Sequence, residues 1–345
     1  MHLHELARRW GYCFPVFFSS LLLLVLFSSP ARAEAEQNKV SFDAEAILPD
    51  NQVSDASYYD LNVQPGAKQE LAIQLRNTSE KQIEVKVEAN NAVTNQNGVL
   101  DYSKHGEKLL GSPSFEEIVS QPQTVMLAPS EEKQVIFQLT IPEKGFDGTV
   151  LGGFYCYENE KGQNKKTSGF ALTNKFAYTI GAKLTCNDKK IEPSFSLTNV
   201  QPGLANGYLT VFATLENPQP ILMSQLKMEA EVTKKRQSES LHKVSKTITI
   251  APRSKFKLPI NWEDEPLKKG TYELTIQLTD TSGKEWQLKK EFKIAGNDEK
   301  LNKEAVKVKK ETKTSNTLMY LLIGLFLLII LGLIWYISRL RKERN

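Results

Sequence analysis

Apolar residues recur at every second position through most of this chain. Leu71, Ile73 and Leu75 alternate with polar neighbours, and after the polar Asn77–Glu80 so do Ile83, Val85 and Val87. Val135, Phe137, Leu139 and Ile141 repeat the pattern. Each set predicts a strand with one face buried and one wetted, because strand side chains point alternately to opposite faces. Further along, Leu209–Leu215, Leu226–Val232, Phe256–Trp262 and Tyr272–Leu278 do the same, punctuated by Asn217-Pro218-Gln219-Pro220 and Asp280-Thr281-Ser282-Gly283. Gln64-Pro65-Gly66, Ala128-Pro129-Ser130 and Ala251-Pro252-Arg253 each precede a strand. Outside the C-terminal region only Ser114–Val119 predicts a short turn of helix. Many short alternating strands predict an all-β chain of two immunoglobulin-like sandwich domains in tandem, over residues 38–187 and 188–296.

Two continuous apolar runs break this rhythm. Leu318–Ile337 is followed at once by Arg339, Arg341, Lys342 and Arg344. About 20 apolar residues in a helix cross a bilayer core, and the basic cluster belongs on the cytoplasmic side. A single transmembrane helix is therefore expected at 317–338, with a cytoplasmic tail at 339–345. At the other end, Arg8 and Arg9 precede an apolar stretch from Phe14 to Phe27, then Ala31-Arg32-Ala33. That is the three-part pattern of a secretory signal peptide over residues 1–33. The expected protein is exported and held at the cell membrane by its C-terminus, N-terminus outside. No Leu-Pro-x-Thr-Gly sorting signal precedes the apolar helix, so permanent membrane retention is expected.

The net charge of +4 is small and sits largely around the apolar helix. The stalk at 297–316 is rich in Lys and Glu, with only Leu301, Ala305, Val306 and Val308 to bury, and is read as a solvated, flexible or marginally helical spacer. Of three cysteines, Cys156 and Cys186 survive signal cleavage. Two readings stay open for them, a disulfide permitted by export or two buried thiols.

The motifs of catalysis are missing. His105 and His242 are the only histidines after the signal peptide; they fall in different expected domains and both have polar neighbours, which reads as exposed histidine. No His-Glu-x-x-His, Cys-x-x-Cys or Gly-x-Ser-x-Gly occurs, so zinc hydrolysis and elbow-type serine chemistry lack their parts. The acidic runs Glu116-Glu117, Glu131-Glu132 and Glu263-Asp264-Glu265 are adjacent residues that would diverge on a strand. Asn97-Gly98 signals a hairpin turn, and the surrounding oxygens lack the acidic run of a calcium loop. Gly152-Gly153 lets a strand or a ligand approach the backbone closely. Nucleic-acid binding is disfavoured, since the lysines are scattered among acids. No enzyme, cofactor or metal is expected, and the residues point to an extracellular binding or scaffold protein.

Several segments carry a resemblance. Ile47-Leu-Pro-Asp-Asn-Gln52, Tyr58-Tyr-Asp-Leu-Asn-Val-Gln-Pro-Gly66, Leu75-Arg-Asn-Thr-Ser79, Asn91–Tyr102 and Ile141–Gly153 resemble the peptidoglycan-binding domain of the WxL-interacting proteins of Gram-positive bacteria. Leu215-Glu-Asn-Pro218, Ala251-Pro-Arg-Ser-Lys-Phe256, Gly270-Thr-Tyr272 and Trp286–Ile294 resemble that family's host-binding domain. Arg253 departs from the motif, where Asn is expected. The resemblance implies a surface adaptor that binds WxL-domain proteins, peptidoglycan or both, and presents a second domain to host matrix proteins. Asn51, Gln52, Tyr58, Tyr59, Gly152 and Gly153 are the candidate partner-binding residues, alongside a reading of the motifs as fold signatures. The alternative role is a chaperone-like assembly factor acting by strand addition, with Thr149–Tyr157 as the candidate edge.

Overall fold

A computed structural model of the protein describes residues 40–159, 175–237, 239–309 and 317–342. The expected signal peptide and the end of the basic tail lie outside the described residues. The first half runs β1 (Phe42–Ile47), β2 (Tyr59–Asn62), β3 (Lys68–Asn77), β4 (Ile83–Asn91), β5 (Val93–Thr94), β6 (Leu100–Asp101), α1 (Phe115–Ile118), β7 (Gln123–Leu127), β8 (Glu132–Thr140), β9 (Thr149–Glu158) and β10 (Ala177–Thr185). These strands build a three-stranded sheet, β1-β3-β8, a five-stranded sheet, β2-β10-β9-β4-β7, and a small β5-β6 ribbon. The pairings are antiparallel except for β2 with β10, which is parallel. Leu71, Ile73, Leu75, Phe137 and Leu139 from the smaller sheet meet Val85, Val87, Phe154, Ile180 and Leu184 from the larger in one core.

The second half runs β11 (Ser196–Ala205), β12 (Tyr208–Asn217), β13 (Met223–Lys234), β14 (Ser240–Ile250), β15 (Ser254–Asn261), β16 (Gly270–Thr279) and β17 (Glu285–Ile294). Its sheets are β11-β12-β15 and β14-β13-β16-β17, around a second core that includes Leu209, Val211, Leu258, Met228, Val232, Leu274 and Ile276. The alternation read from the sequence is visible in the burial of β8, β15 and β16, where buried and wetter positions succeed one another. Burying such a face on a partner sheet is the main stabilising term for both sandwiches.

The same polar device closes one corner of each sandwich. Asn77 ends β3, and its buried side-chain amide donates to the carbonyls of Lys81, Leu127 and Ala128 at 2.7, 3.1 and 2.9 Å. Asn217 ends β12 and donates to Ile221 and Ala251, each at 2.9 Å. The following turns, Ala128-Pro129-Ser130 and Ala251-Pro252-Arg253, carry their third residue at positive φ, 60° for Ser130 and 49° for Arg253. Buried carbonyls need donors, and the asparagine supplies them where the ladder stops.

Three expectations are corrected, and for the two cysteines one of the two open readings is the one seen. The strand Thr149–Tyr157 is no edge: β9 lies between β10 and β4, hydrogen-bonded on both sides. Cys156 and Cys186 are free buried thiols. Register explains this, since Cys156 faces Tyr178 across the ladder while Cys186 follows Thr185, which faces Thr149. Seven residue steps of strand separate the two ends, roughly 24 Å, against the 7 Å or less a disulfide needs. His242 is buried rather than exposed, its ring centroid 4.3 Å from that of Trp262. Its neighbours Leu241 and Lys243 are exposed on the other face of β14, so a polar flank does not report on the side chain between.

The last correction concerns the first part of the stalk, which is docked and not free. After a 3-10 turn (Asp298–Lys300), α2 (Leu301–Glu304) and the residues beyond it lay Leu301, Ala305 and Val308 on the second core. Asn302 binds both the N–H and the carbonyl of Leu267, at 2.8 and 3.0 Å. Val306 N–H donates to Gly207 O and Lys309 N–H to Asp264 O, at 2.8 and 2.7 Å. Three apolar side chains plus these backbone bonds offset the ordering entropy that the composition alone does not. Beyond it, α3 (Thr317–Lys342) is a 26-residue helix whose described side chains from 321 to 336 are all exposed. Among the described residues no helix is long and apolar enough to cross a membrane.

Candidate binding surface

The loop between β4 and α1 folds back over the outer face of the larger first sheet. Asn95 organises its hairpin, with Gly98 at φ 78°. Asn90 donates to Tyr102 O at 2.8 Å, and Asn91 to Glu107 O at 3.0 Å. Asn91 and Glu116 bond reciprocally, and the Glu116 carboxylate also accepts from Gly106 N–H. Ser114 and Glu117 form a capping box on α1. The acidic pair Glu116-Glu117 therefore caps backbone, which accounts for it without acid–base chemistry.

This loop also meets the second sandwich. Thr94 Oγ1 accepts from Ala251 N–H at 2.9 Å and donates to Thr249 O at 3.2 Å. Thr249 N–H donates to Gly98 O, and Leu110 N–H to Arg253 O, both at 2.7 Å. Thr149 N–H donates to Pro220 O at 2.8 Å. The buried Arg253 guanidinium reaches back to Thr149 O at 3.2 Å and Asp147 O at 3.5 Å. Gly148, at φ 69°, is required here, since a Cβ would sit 2.2 Å from Pro220 O. Burial pushes the Arg253 guanidinium down from its ordinary value, opposed by Asp147 and Glu117. Arg253, which departs from the resembled motif, is thus one of several residues that tie the halves together.

Beside this junction lies a cleft of about 510 Å³. Tyr58, Tyr102, Gly181, Thr179, Lys183 and Leu222 are among its walls, and Leu222 comes from the second half of the chain. That volume is within the range of roughly 300–1,000 Å³ usual for small-ligand sites. Burial pushes the Tyr102 hydroxyl up to about 12, with a smaller push from Tyr58.

The sequence candidates separate sharply by position. Tyr58 is exposed in the cleft. Tyr59, one residue on, is fully buried, and its hydroxyl donates to Ala72 O at 2.6 Å. Gln52 donates to Tyr58 O at 2.9 Å and accepts from Asp60 N–H at 3.1 Å, which shapes the loop that presents Tyr58. Asn51 bridges Asn62 O and Gln69. Gly152 and Gly153 do accept close neighbours, but these are the protein's own rings. A Cβ on Gly152 would lie 2.2 Å from Phe115, and one on Gly153 2.9 Å from Tyr102. Tyr102, Thr179 and Gly181 were not singled out from sequence, because a loop folding back onto a sheet face leaves no periodic signal. Among the described residues no three His, Cys, Asp or Glu side chains are grouped so as to hold a metal ion.

Comparison with known proteins decides the family. Residues 42–158 match the model of the WxL Interacting Protein peptidoglycan binding domain, and residues 167–303 that of the WxL Interacting Protein host binding domain. Together the matches span more than half of the chain. The chain belongs to the WxL-interacting protein family. In this WxL-interacting protein the host-binding match begins before β10, a strand that belongs to the first core. No curated protein matches the sequence. Among solved structures, the class 5 fimbriae chaperone CfaA is 13% identical over 72% of this chain and 98% of its own, with a TM-score of 0.29. The YadV chaperone is 10% identical over 73% and 100%, with a TM-score of 0.30. The PapD-like domain 7 of human CEP192 is 9% identical over 48% and 97%, with a TM-score of 0.27.

Proposed function

We propose that this WxL-interacting protein is a membrane-anchored, non-catalytic adaptor of the cell surface. Its first domain, residues 38–187, engages peptidoglycan and WxL-domain proteins, and its second, 188–296, is presented to host matrix proteins. The observation that carries this reading is the tandem match to two binding-domain models, laid over two sandwiches with separate cores. The anchor is the helix at 317–338. Its exposed Leu, Ile, Phe and Trp side chains call for an apolar cover, and the sequence continues apolar to Leu318 and Ile337 on either side. The signal peptide at 1–33 and the basic residues after Ile337 support an outside location for everything before the helix.

Two assays on the intact protein test this. In cells, protease shaving should remove both sandwiches and leave the C-terminal helix in the membrane fraction. In detergent, the purified full-length chain should capture a WxL-domain protein and sediment with insoluble peptidoglycan. Capture of neither would remove the adaptor reading, and protection from shaving would remove the topology.

A further inference from the structure

The outward side of the β9–β10 ladder carries a row of aromatic residues that no turn, cap or core explains. Side chains alternate along β9, so Phe154 and Cys156 enter the core while Gly153, Tyr155 and Tyr157 face outward. Across the ladder they face Gly181, Thr179 and Ala177. The Tyr155 and Tyr157 rings lie 5.4 Å apart. At the Gly153 end, Tyr102 packs over the glycine and Tyr58 over Gly181, which continues the row into the cleft. From Gly153 to Tyr157 the strip runs four residue steps, roughly 13 Å.

We infer that this strip, from Tyr58 through Tyr102 to Tyr155 and Tyr157, is a binding platform for a carbohydrate strand, the glycan of peptidoglycan. The inference rests on the peptidoglycan-binding reading above and gives it a location. Three observations choose a glycan over a peptide. Tyrosine offers an apolar ring face beside a hydroxyl, the complement of a sugar with C–H faces and a hydroxylated rim. The cations at the strip are already neutralised: Lys86, 5.9 Å over the Tyr157 ring, lies 2.6 Å from Glu88, and Lys183 3.1 Å from Asp60. A chain without net charge suits such a floor. The backbone of β9 is paired on both sides, so no added strand can be read through it, and recognition must go through side chains.

Gly181 supplies a clean test. A Cβ there would meet Tyr58 and Tyr102 only at 3.8–3.9 Å, ordinary contact, so the backbone accepts a side chain and Gly181→Leu directs it at the cleft. The experiment sediments the full-length protein in detergent with intact insoluble peptidoglycan, against two soluble competitors: uncharged N-acetylglucosamine oligomers and free stem peptides. Thermal unfolding confirms folding of each variant. The expected result is wild-type binding that the sugar oligomers compete away and the stem peptides do not, with Tyr155→Ala and Gly181→Leu each held about tenfold more weakly, the size of one good aromatic contact. Tyr208→Ala, an exposed tyrosine of the second sandwich, should bind as wild type. If Tyr155→Ala does not fold, Gly181→Leu decides alone. Wild-type binding that both variants retain would overturn this location and leave the peptidoglycan reading standing. Competition by stem peptides and none by the sugar oligomers would overturn the glycan. Failure of the wild type to bind intact peptidoglycan would remove both.

Discussion

Neighbouring glycines in this chain do opposite work. Gly152 makes room in the core for Phe115, so Gly152→Ala has nowhere to put its methyl and should cost about 1–3 kcal/mol in urea unfolding, as overpacking does. Gly181→Ala should change stability by less than about 0.5 kcal/mol, like a surface substitution. Equal effects would mean that the packing of Phe115 and Tyr102 is wrong. His242 makes a second prediction at this scale. Burial against Trp262 holds its imidazole below the ordinary 6.5, only partly opposed by Glu263 and Glu265. A depressed folded value means that the unfolded chain takes up the proton first. Stability from this site is therefore present above about pH 6.5 and declines as the pH falls toward the folded value. His242→Phe should flatten the acid limb of melting temperature against pH between about pH 7 and 5; an unchanged slope would contradict the burial.

At the scale of elements, the sequence motifs turn out to be corner pieces. Asn77 and Asn217 occupy the same role in two sandwiches, each holding the carbonyls of a turn that ends in a left-handed residue. Asn77→Ala strands the buried Leu127 carbonyl and removes a donor from the part-buried Lys81 and Ala128 carbonyls, and should destabilise the protein by about 1–3 kcal/mol, read by denaturant midpoint. Asn77→Asp should not rescue it, since the carboxylate lacks the donors. Strand existence and facing were legible from alternation alone, as in β8 and β15. Strand order was not: β9 reads like an edge because of its glycines, and only the nonlocal pairing with β4 and β10 makes it central. The stalk misled for a related reason. Leu301, Ala305 and Val308 are too few to form a core, yet they suffice to cover a surface already built.

At the scale of the molecule, the junction decides whether two sandwiches behave as one. Thr94, Gly98, Thr149 and Arg253 place backbone and side-chain bonds across it, which no composition shift near Asn187 announces. Arg253 reads from sequence as a departure from a motif; its place in the fold makes it a clamp. Arg253→Ala removes donors from two carbonyls and should lower stability by about 1–3 kcal/mol. It should also split a single calorimetric transition into two, one for each core; one unchanged transition would show that the junction carries little coupling. Of the inferred strip, the sequence named Tyr58 and Gly153, and the segment Thr149–Tyr157 only as a strand edge. Tyr102, Tyr155 and Tyr157 become a surface only when β9 is placed mid-sheet and the loop after β4 is laid over it.

The account stands on recognition without chemistry. Its most direct test is sedimentation of the purified full-length protein with insoluble peptidoglycan across a concentration series, followed by assay of the supernatant for released sugars and peptides. The account predicts saturable binding with the polymer left intact. Absence of binding, or soluble fragments accumulating in proportion to protein and time, would contradict it.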